Sequence, residues 1–270
     1  MNVMVDASDS HDAIGGDIPP VTWRGAPIDC ASCPHANLLA QGRCEVGRTC
    51  MQDRYARRID RFFRRNPECG NAHIEHPYFE VRAIAARCAD IFHIARMMDD
   101  PDETVRHSVA MRLPQGHLLR MVKDPHREVR IRVAYRLAPE SLGLMRADPD
   151  YHVRTVVARR MPAALLGLMA ADRDEAVRKE VAQRIEMPAL MRLADDAAAA
   201  VRCVVVQRIP TGLLARFVRD EDWRVRWEVI QRADIEVLRL MQDDEDTELR
   251  REATQRLHEI SAPRTGVNHD

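Results

Sequence analysis

From His76 onward the chain repeats itself every 24 residues, with no insertion. DPDETVRHSVAMRLPQGHLLRMVK starts at Asp100, DPHREVRIRVAYRLAPESLGLMRA at Asp124 and DPDYHVRTVVARRMPAALLGLMAA at Asp148. The period runs on from Asp172, Asp196, Asp220 and Asp244, giving eight units with the last one shortened. The sixth position is Val81, Val105, Val129, Val153, Val177, Val201, Val225 and Leu249, and the seventh is Arg in every unit. The thirteenth is Arg from Arg112 to Arg256, with Cys88 standing there in the first unit. The nineteenth is always aliphatic, from Ile94 to Leu238. One such unit is too short to bury its own apolar stripe, so neighbours must stack, which makes a solenoid.

Each unit reads as a helix followed by a shorter turn of helix. Asp at the first position, often followed by Pro, suits a helix start: a carboxylate accepts orphan N–H groups and Pro tolerates the first turn. Val105, Val109 and Leu113 then follow at helical spacing. Pro114, Pro139, Pro162, Pro188 or Pro210 ends that helix. The residues left before the next Asp have room for one short helical turn of 3₁₀ type. No unit alternates like a strand. The fold class expected is therefore all-α, a solenoid with helices about 10 Å apart and a concave face that a partner protein would occupy.

The two Arg columns have two readings. Arg at position seven can reach the first-position Asp of its own unit or the next, building a ladder of charge-assisted hydrogen bonds. Alternatively the columns form an anion-binding surface for nucleic acid or an acidic protein. From His76 to the end there are 32 basic and 32 acidic side chains. That balance favours the ladder, and the whole-chain charge of −1 predicts no global attraction to nucleic acid.

Before the repeats the composition changes. Residues 1–20 form an acidic tail with four Asp and no basic side chain, unlike a secretory leader. Residues 21–75 carry nine Arg against six acids, and Cys30, Cys33, Cys44 and Cys50 in the spacing C-x2-C-x10-C-x5-C. With no leader and no apolar run long enough to span a bilayer, the expectation is a cytoplasmic protein, where thiols stay reduced and a tight Cys group reads as a metal site. Pro34 and Gly42 allow the chain to fold back, so all four thiolates can meet. Four thiolates satisfy either one zinc ion or one iron–sulfur cluster. The second pair is wider than a zinc ribbon's, which favours the cluster and leaves zinc as the alternative. Cys69, His73 and His76 offer a further C-x3-H-x2-H pattern that could hold a metal or lend a substitute ligand.

A helix over the segment TCMQDRYARRIDRFFRRNP follows the quartet. Met51, Tyr55, Ile59 and Phe62 or Phe63 share one face, and Arg54, Arg57, Arg58, Arg61, Arg64 and Arg65 take the others. The apolar face is expected against the cysteine loop or the first repeat. The arginines would offset the negative charge of a thiolate-bound cluster, or bind RNA. No nucleophile–base constellation or phosphate loop is visible, so nothing points to an enzyme.

The 24-residue unit with VR at its sixth and seventh positions, the upstream Cys quartet and RRIDRFFRRNP together resemble the leucine-rich repeat variant proteins, from about residue 21 to residue 261. The resemblance implies α-helices alternating with 3₁₀-helices in a right-handed superhelix without sheet. It implies a small amino-terminal domain with a 4Fe–4S cluster, whose ligands here would be Cys30, Cys33, Cys44 and Cys50. It also implies a link to nitrogen-fixing bacteria, with no biochemical role attached. The domain division expected is thus a tail at 1–20, a cluster domain at 21–75, repeats at 76–261 and a tail at 262–270.

Overall fold

A computed structural model describes residues 18–261. The expected tails at 1–20 and 262–270 lie outside these residues, apart from 18–20. The chain forms two compact units that divide between Arg136 and Leu137. Every regular element among the described residues is a helix, and β-structure is confined to three isolated bridges, Val21–Pro27, Thr22–Asp53 and Glu45–Thr49.

Within each repeat the first helix is α, as in Glu103–Ala110, Arg127–Arg136, Tyr151–Arg160, Glu175–Arg184 and Trp223–Arg232. Its cap is not the first-position Asp that the sequence suggested. The cap is the third-position residue: Asp102, Asp150, Asp174 and Asp222 accept a backbone N–H two residues on at 2.8–2.9 Å. The first-position Asp turns to the ladder instead. Asp100 accepts both Arg82 guanidinium hydrogen bonds, at 2.8 and 2.9 Å, and the N–H of Asp102 at 2.9 Å. Three donors on one carboxylate outweigh what a single cap would contribute.

The second helix is 3₁₀ at Pro139–Met145, Ala163–Met169, Ala189–Leu193 and Thr211–Phe217, and mixed at Gln115–Leu118 and Leu119–Met121. In the first and seventh repeats it is α instead, at Ile91–Ala95 and Ile235–Met241. Both begin after an Asp where the other repeats have Pro, Ala or Glu. Asp90 caps His93 at 2.9 Å and Asp234 caps Val237 at 3.0 Å, which supports the wider turn.

The core is the stack of the sixth and nineteenth columns. From Val81 to Leu249, and from Ile94 to Leu238, no side chain is more than 2% exposed. Each such burial contributes about 1.5–3 kcal/mol. Alongside it the position-seven ladder continues through Arg106–Asp124 in the first unit. It recurs as Arg154–Asp172, Arg178–Asp196, Arg202–Asp220 and Arg226–Asp244 in the second. The same guanidinium reaches back to its own repeat's start: Arg154 donates to the carbonyls of Asp148 at 2.7 Å and Pro149 at 3.3 Å. The position-thirteen Arg does a different job. Arg136 donates to Ala110 and Leu113 carbonyls, and Arg184 to those of Ala158 and Met161, all at 2.7–2.9 Å. Those are the orphan carbonyls where the preceding repeat's α-helix ends. Both Arg columns are therefore spent inside the stack rather than offered to an anion.

In the first unit the helix Ala56–Arg65 packs between the cysteine loops and the first repeat helix, Phe79–Ala85. Ile59, Phe62 and Phe63 are at most 1% exposed and share a core with Leu38, Cys44, Met51, Val81, Ile84 and Ala85. Gly70 fits tightly against this junction, since a Cβ there would stand 2.7 Å from the Ala89 nitrogen.

Candidate metal centre

The chain gathers its four cysteines with three short turns. Cys30 and Cys33 bracket a turn in which the Cys33 N–H donates to the Cys30 carbonyl at 3.4 Å. Asp29 braces it by accepting the Ala31 N–H at 2.9 Å and the Ser32 hydroxyl at 2.6 Å. A one-turn helix, Ala36–Ala40, follows and ends at Gly42, whose φ of +68° only glycine adopts cheaply. The Arg43 N–H reaches back to Leu38 at 2.9 Å and the Gly42 N–H to Leu39 at 3.0 Å. This paired closure reverses the chain and delivers Cys44.

The widely spaced second pair then closes on itself. Glu45 and Thr49 exchange both backbone hydrogen bonds at 2.8 Å around Gly47, whose φ is +78°. Cys44 and Cys50 flank this miniature hairpin and so come back together. Burial pushes the Cys44 thiol above its ordinary value, with Cys33 and Cys30 adding to the effect and a hydrogen bond with Cys50 opposing it. Cys44 is thus the thiol that the other three cysteines act on. Burial pushes the Cys50 thiol up to about 12, although N–H groups of Gln52 and Asp53 point at its sulfur. The Cys33 sulfur accepts the His35 N–H at 3.4 Å. Backbone donors aimed at sulfur suit thiolates carrying excess charge. Cys44 and Cys50 are buried, whereas Cys30 and Cys33 are half exposed. Among the described residues, no three His, Cys, Asp or Glu side chains stand close enough to hold a single metal ion. Four thiolates are the ligand demand of a cubane cluster, which is wider than one ion.

Beneath the site lies an ion pair that the residue pattern did not reveal. Asp53 is fully buried and accepts from Arg58, itself 3% exposed, at 3.0 Å; Asp53 also accepts the Tyr55 N–H at 2.9 Å. Arg58 further holds the Ile18 carbonyl at 2.7 Å. Arg58, one of the arginines read onto the polar faces, therefore goes to the interior, and Arg64 is tied to Asp60 at 2.7 Å. The available signal was Asp53 itself, an acid just ahead of a helix that is otherwise almost all Arg on its polar faces.

The C-x3-H-x2-H pattern does not gather as metal ligands. His73 is buried, with Nδ1 2.7 Å from the Cys69 carbonyl and Nε2 3.0 Å from His35 Nε2. His76 Nδ1 accepts the Tyr78 N–H at 3.0 Å. Cys69 packs on the apolar core, and Cys88 directs its thiol at the Phe63 carbonyl, 3.8 Å away. Cys88 thus docks the first repeat on the preceding helix, where a position-thirteen Arg would have no earlier repeat to cap.

Fold and thiol site together define an iron–sulfur protein built on helical repeats. The family description "LRV protein FeS4 cluster" matches residues 20–72. A solved structure described as a leucine-rich repeat variant with a novel repetitive protein structural motif is 39% identical. It aligns with a TM-score of 0.81 over 85% of this chain and 99% of its own length. The chain belongs to the leucine-rich repeat variant family, and its amino-terminal region is a 4Fe–4S domain. It is also similar to an uncharacterized 27.7 kDa protein in the nifB 3′ region of Rhodobacter capsulatus, at 44% identity over 95 residues. That match covers 35% of this chain and 39% of the relative, well under two thirds of its length. No helix among the described residues is long and apolar enough to cross a membrane.

Proposed function

We propose that Cys30, Cys33, Cys44 and Cys50 hold the 4Fe–4S cluster in a domain spanning 21–75, and that the repeats from 76 to 261 serve as a scaffold for a partner protein. The observation that carries the ligand assignment is the Glu45–Thr49 hairpin, which returns Cys50 to Cys44, with Cys30 and Cys33 acting on the same Cys44 thiol. When bound, such a cluster supplies one-electron redox chemistry or a structural clasp. The chain's own part is to present four thiolates, to aim the N–H groups of His35, Gln52 and Asp53 at sulfur, and to shield Cys44 and Cys50 from water. The half-exposed Cys30 and Cys33 put one edge of the site near the surface, which suits electron exchange or sensing of oxygen. The relative encoded beside nifB supports a setting in nitrogen fixation, in a reducing cytoplasm.

The scaffold reading is preferred over nucleic-acid binding because the position-seven and position-thirteen arginines are engaged within the stack. Single Ser substitutions test the ligand assignment. Cys30, Cys33, Cys44 and Cys50 variants, purified without air, should each lose most of the broad absorbance near 400 nm, while Cys69→Ser and Cys88→Ser keep it. Full absorbance in Cys44→Ser would overturn it.

A further inference from the structure

A carboxylate is an unexpected neighbour for four thiolates. The site already gathers negative charge, and the helix Ala56–Arg65 beside it is rich in arginine that could have been turned toward it. Instead the side chain brought to Cys50 is that of Asp53, which is fully buried and whose charge adds to the effect of burial in pushing the Cys50 thiol up.

Backbone geometry fixes this placement. The Asp53 N–H points at the Cys50 sulfur, and the Cys50 N–H donates to the Arg58 carbonyl at 3.2 Å. The Arg58 guanidinium closes the loop by donating to Asp53 Oδ2 at 3.0 Å, and its other arm goes to the Ile18 carbonyl at 2.7 Å. The second carboxylate oxygen, Oδ1, accepts the Tyr55 N–H at 2.9 Å. Thr22 pairs with Asp53 in an isolated bridge, so the segment ahead of the cysteines braces the same turn. Asp53 thus has no freedom to swing away from Cys50.

Stability alone does not call for a charge pair here. Apolar side chains of similar volume often replace a buried ion pair with no loss or with a gain. The core alongside is built that way, from Met51, Ile59 and Phe62. The pair's orientation gives it a different use. Of its two charges, the carboxylate is the one that acts on the Cys50 thiol. Reduction of a bound cluster would add one electron from an external one-electron donor, with no bond made or broken. That added negative charge is opposed by the carboxylate, and a low local dielectric strengthens the effect.

We propose that Asp53 sets the reduction potential of the thiolate site: its carboxylate, positioned beneath Cys50 by Arg58, holds the bound cluster toward its oxidised form. The inference rests on the reading of Cys50 as a cluster ligand and deepens it.

The test is an anaerobic titration of the full cluster-bound chain with dithionite and redox mediators, followed by the absorbance near 400 nm. A like charge nearby alters a proton equilibrium by roughly ten- to a thousandfold, and an electron responds to the same field. Asp53→Asn, nearly identical in shape, should therefore favour reduction by about tenfold or more, a factor of ten being about 59 mV for one electron. Asp53→Asn combined with Arg58→Gln removes both charges and should return part of the way, because the uncompensated guanidinium of the single variant is gone. Mere loosening of the site predicts the reverse order, since a second substitution only loosens it further. An unchanged or lowered potential in Asp53→Asn overturns the inference, and so does a double variant shifted as far as the single one. Asp53→Ser keeps an acceptor for the Tyr55 N–H without the charge, and replaces Asp53→Asn if that variant holds no iron. Iron lost from both makes the pair a structural clasp and overturns the inference equally. The ligand reading fails separately: Cys50→Ser with full iron and the potential of the unsubstituted chain strikes the assignment of Cys50, whatever the Asp53 variants do.

Discussion

The Arg154 side chain closes the junction between two repeats by itself. It gives two hydrogen bonds to Asp172, at 2.8 and 2.9 Å, and two more to the carbonyls of Asp148 and Pro149, while the side chains of the pair are only 4% and 9% exposed. Removing one partner of such a buried pair leaves the other charge stranded. Arg154→Ala should therefore destabilise the second unit by about 3–5 kcal/mol, measured by urea unfolding, whereas truncating the exposed pair Arg216–Asp195 should cost at most about 1 kcal/mol. Burial pushes the Asp172 and Asp196 carboxyls up, but hydrogen bonds from Arg154 and Arg178 and from the backbone outweigh it and hold both below 3.8. A carboxyl depressed by folding takes up protons more readily when unfolded. Its stabilisation is thus complete above pH 3.8 and is lost as pH falls below that value. Unfolding midpoints should stay level down to about pH 5 and drop steeply beneath 4. The ladder itself was readable from two columns in register. The direction of the pairing was not, because the intra-repeat and inter-repeat Asp stand at equally plausible offsets until the turn geometry is known.

At the scale of elements, a helix start with two acids two residues apart divides the labour. Asp172 takes the Arg154 ladder and Asp174 takes the cap; in the preceding repeat Asp150 caps likewise, accepting the His152 and Val153 N–H groups at 2.9 and 3.2 Å. Asp150→Ala should cost about 1 kcal/mol, clearly less than the ladder variant, and a comparison of the two midpoints checks that order. Sequence periodicity placed the helices and their Pro-marked ends well. It could not tell α from 3₁₀ in the second helix, since that depends on which residue caps it: Asp90 and Asp234 give α turns. The cysteine loops were legible as a four-thiol set but not as a geometry. The hairpin at Gly47 turns the wide C-x5-C back on itself, and the closure at Gly42 reverses the chain ahead of Cys44. The Asp53–Arg58 pair is not legible in the sequence, because Arg58 sits in a helix whose other arginines look interchangeable with it. Gly70 likewise gives no signal in one sequence, yet Gly70→Ala must displace the Ala89 backbone and should lower the melting temperature of the first unit.

The molecule as a whole joins two kinds of order that the chain keeps separate. The repeats are held by periodic columns, so their stability is a sum of similar nearest-neighbour terms. The amino-terminal region has no such period. It packs on the first repeat helix through Phe62, Phe63 and Cys88, and has only a small apolar core around the thiols. A domain of that size needs a covalent or metal staple. Iron, acid-labile sulfide and zinc counted per chain after purification without air report whether this staple is a four-iron cluster on four thiolates. About four iron and four sulfide with negligible zinc are expected; one zinc per chain in a colourless protein would rule the cluster out.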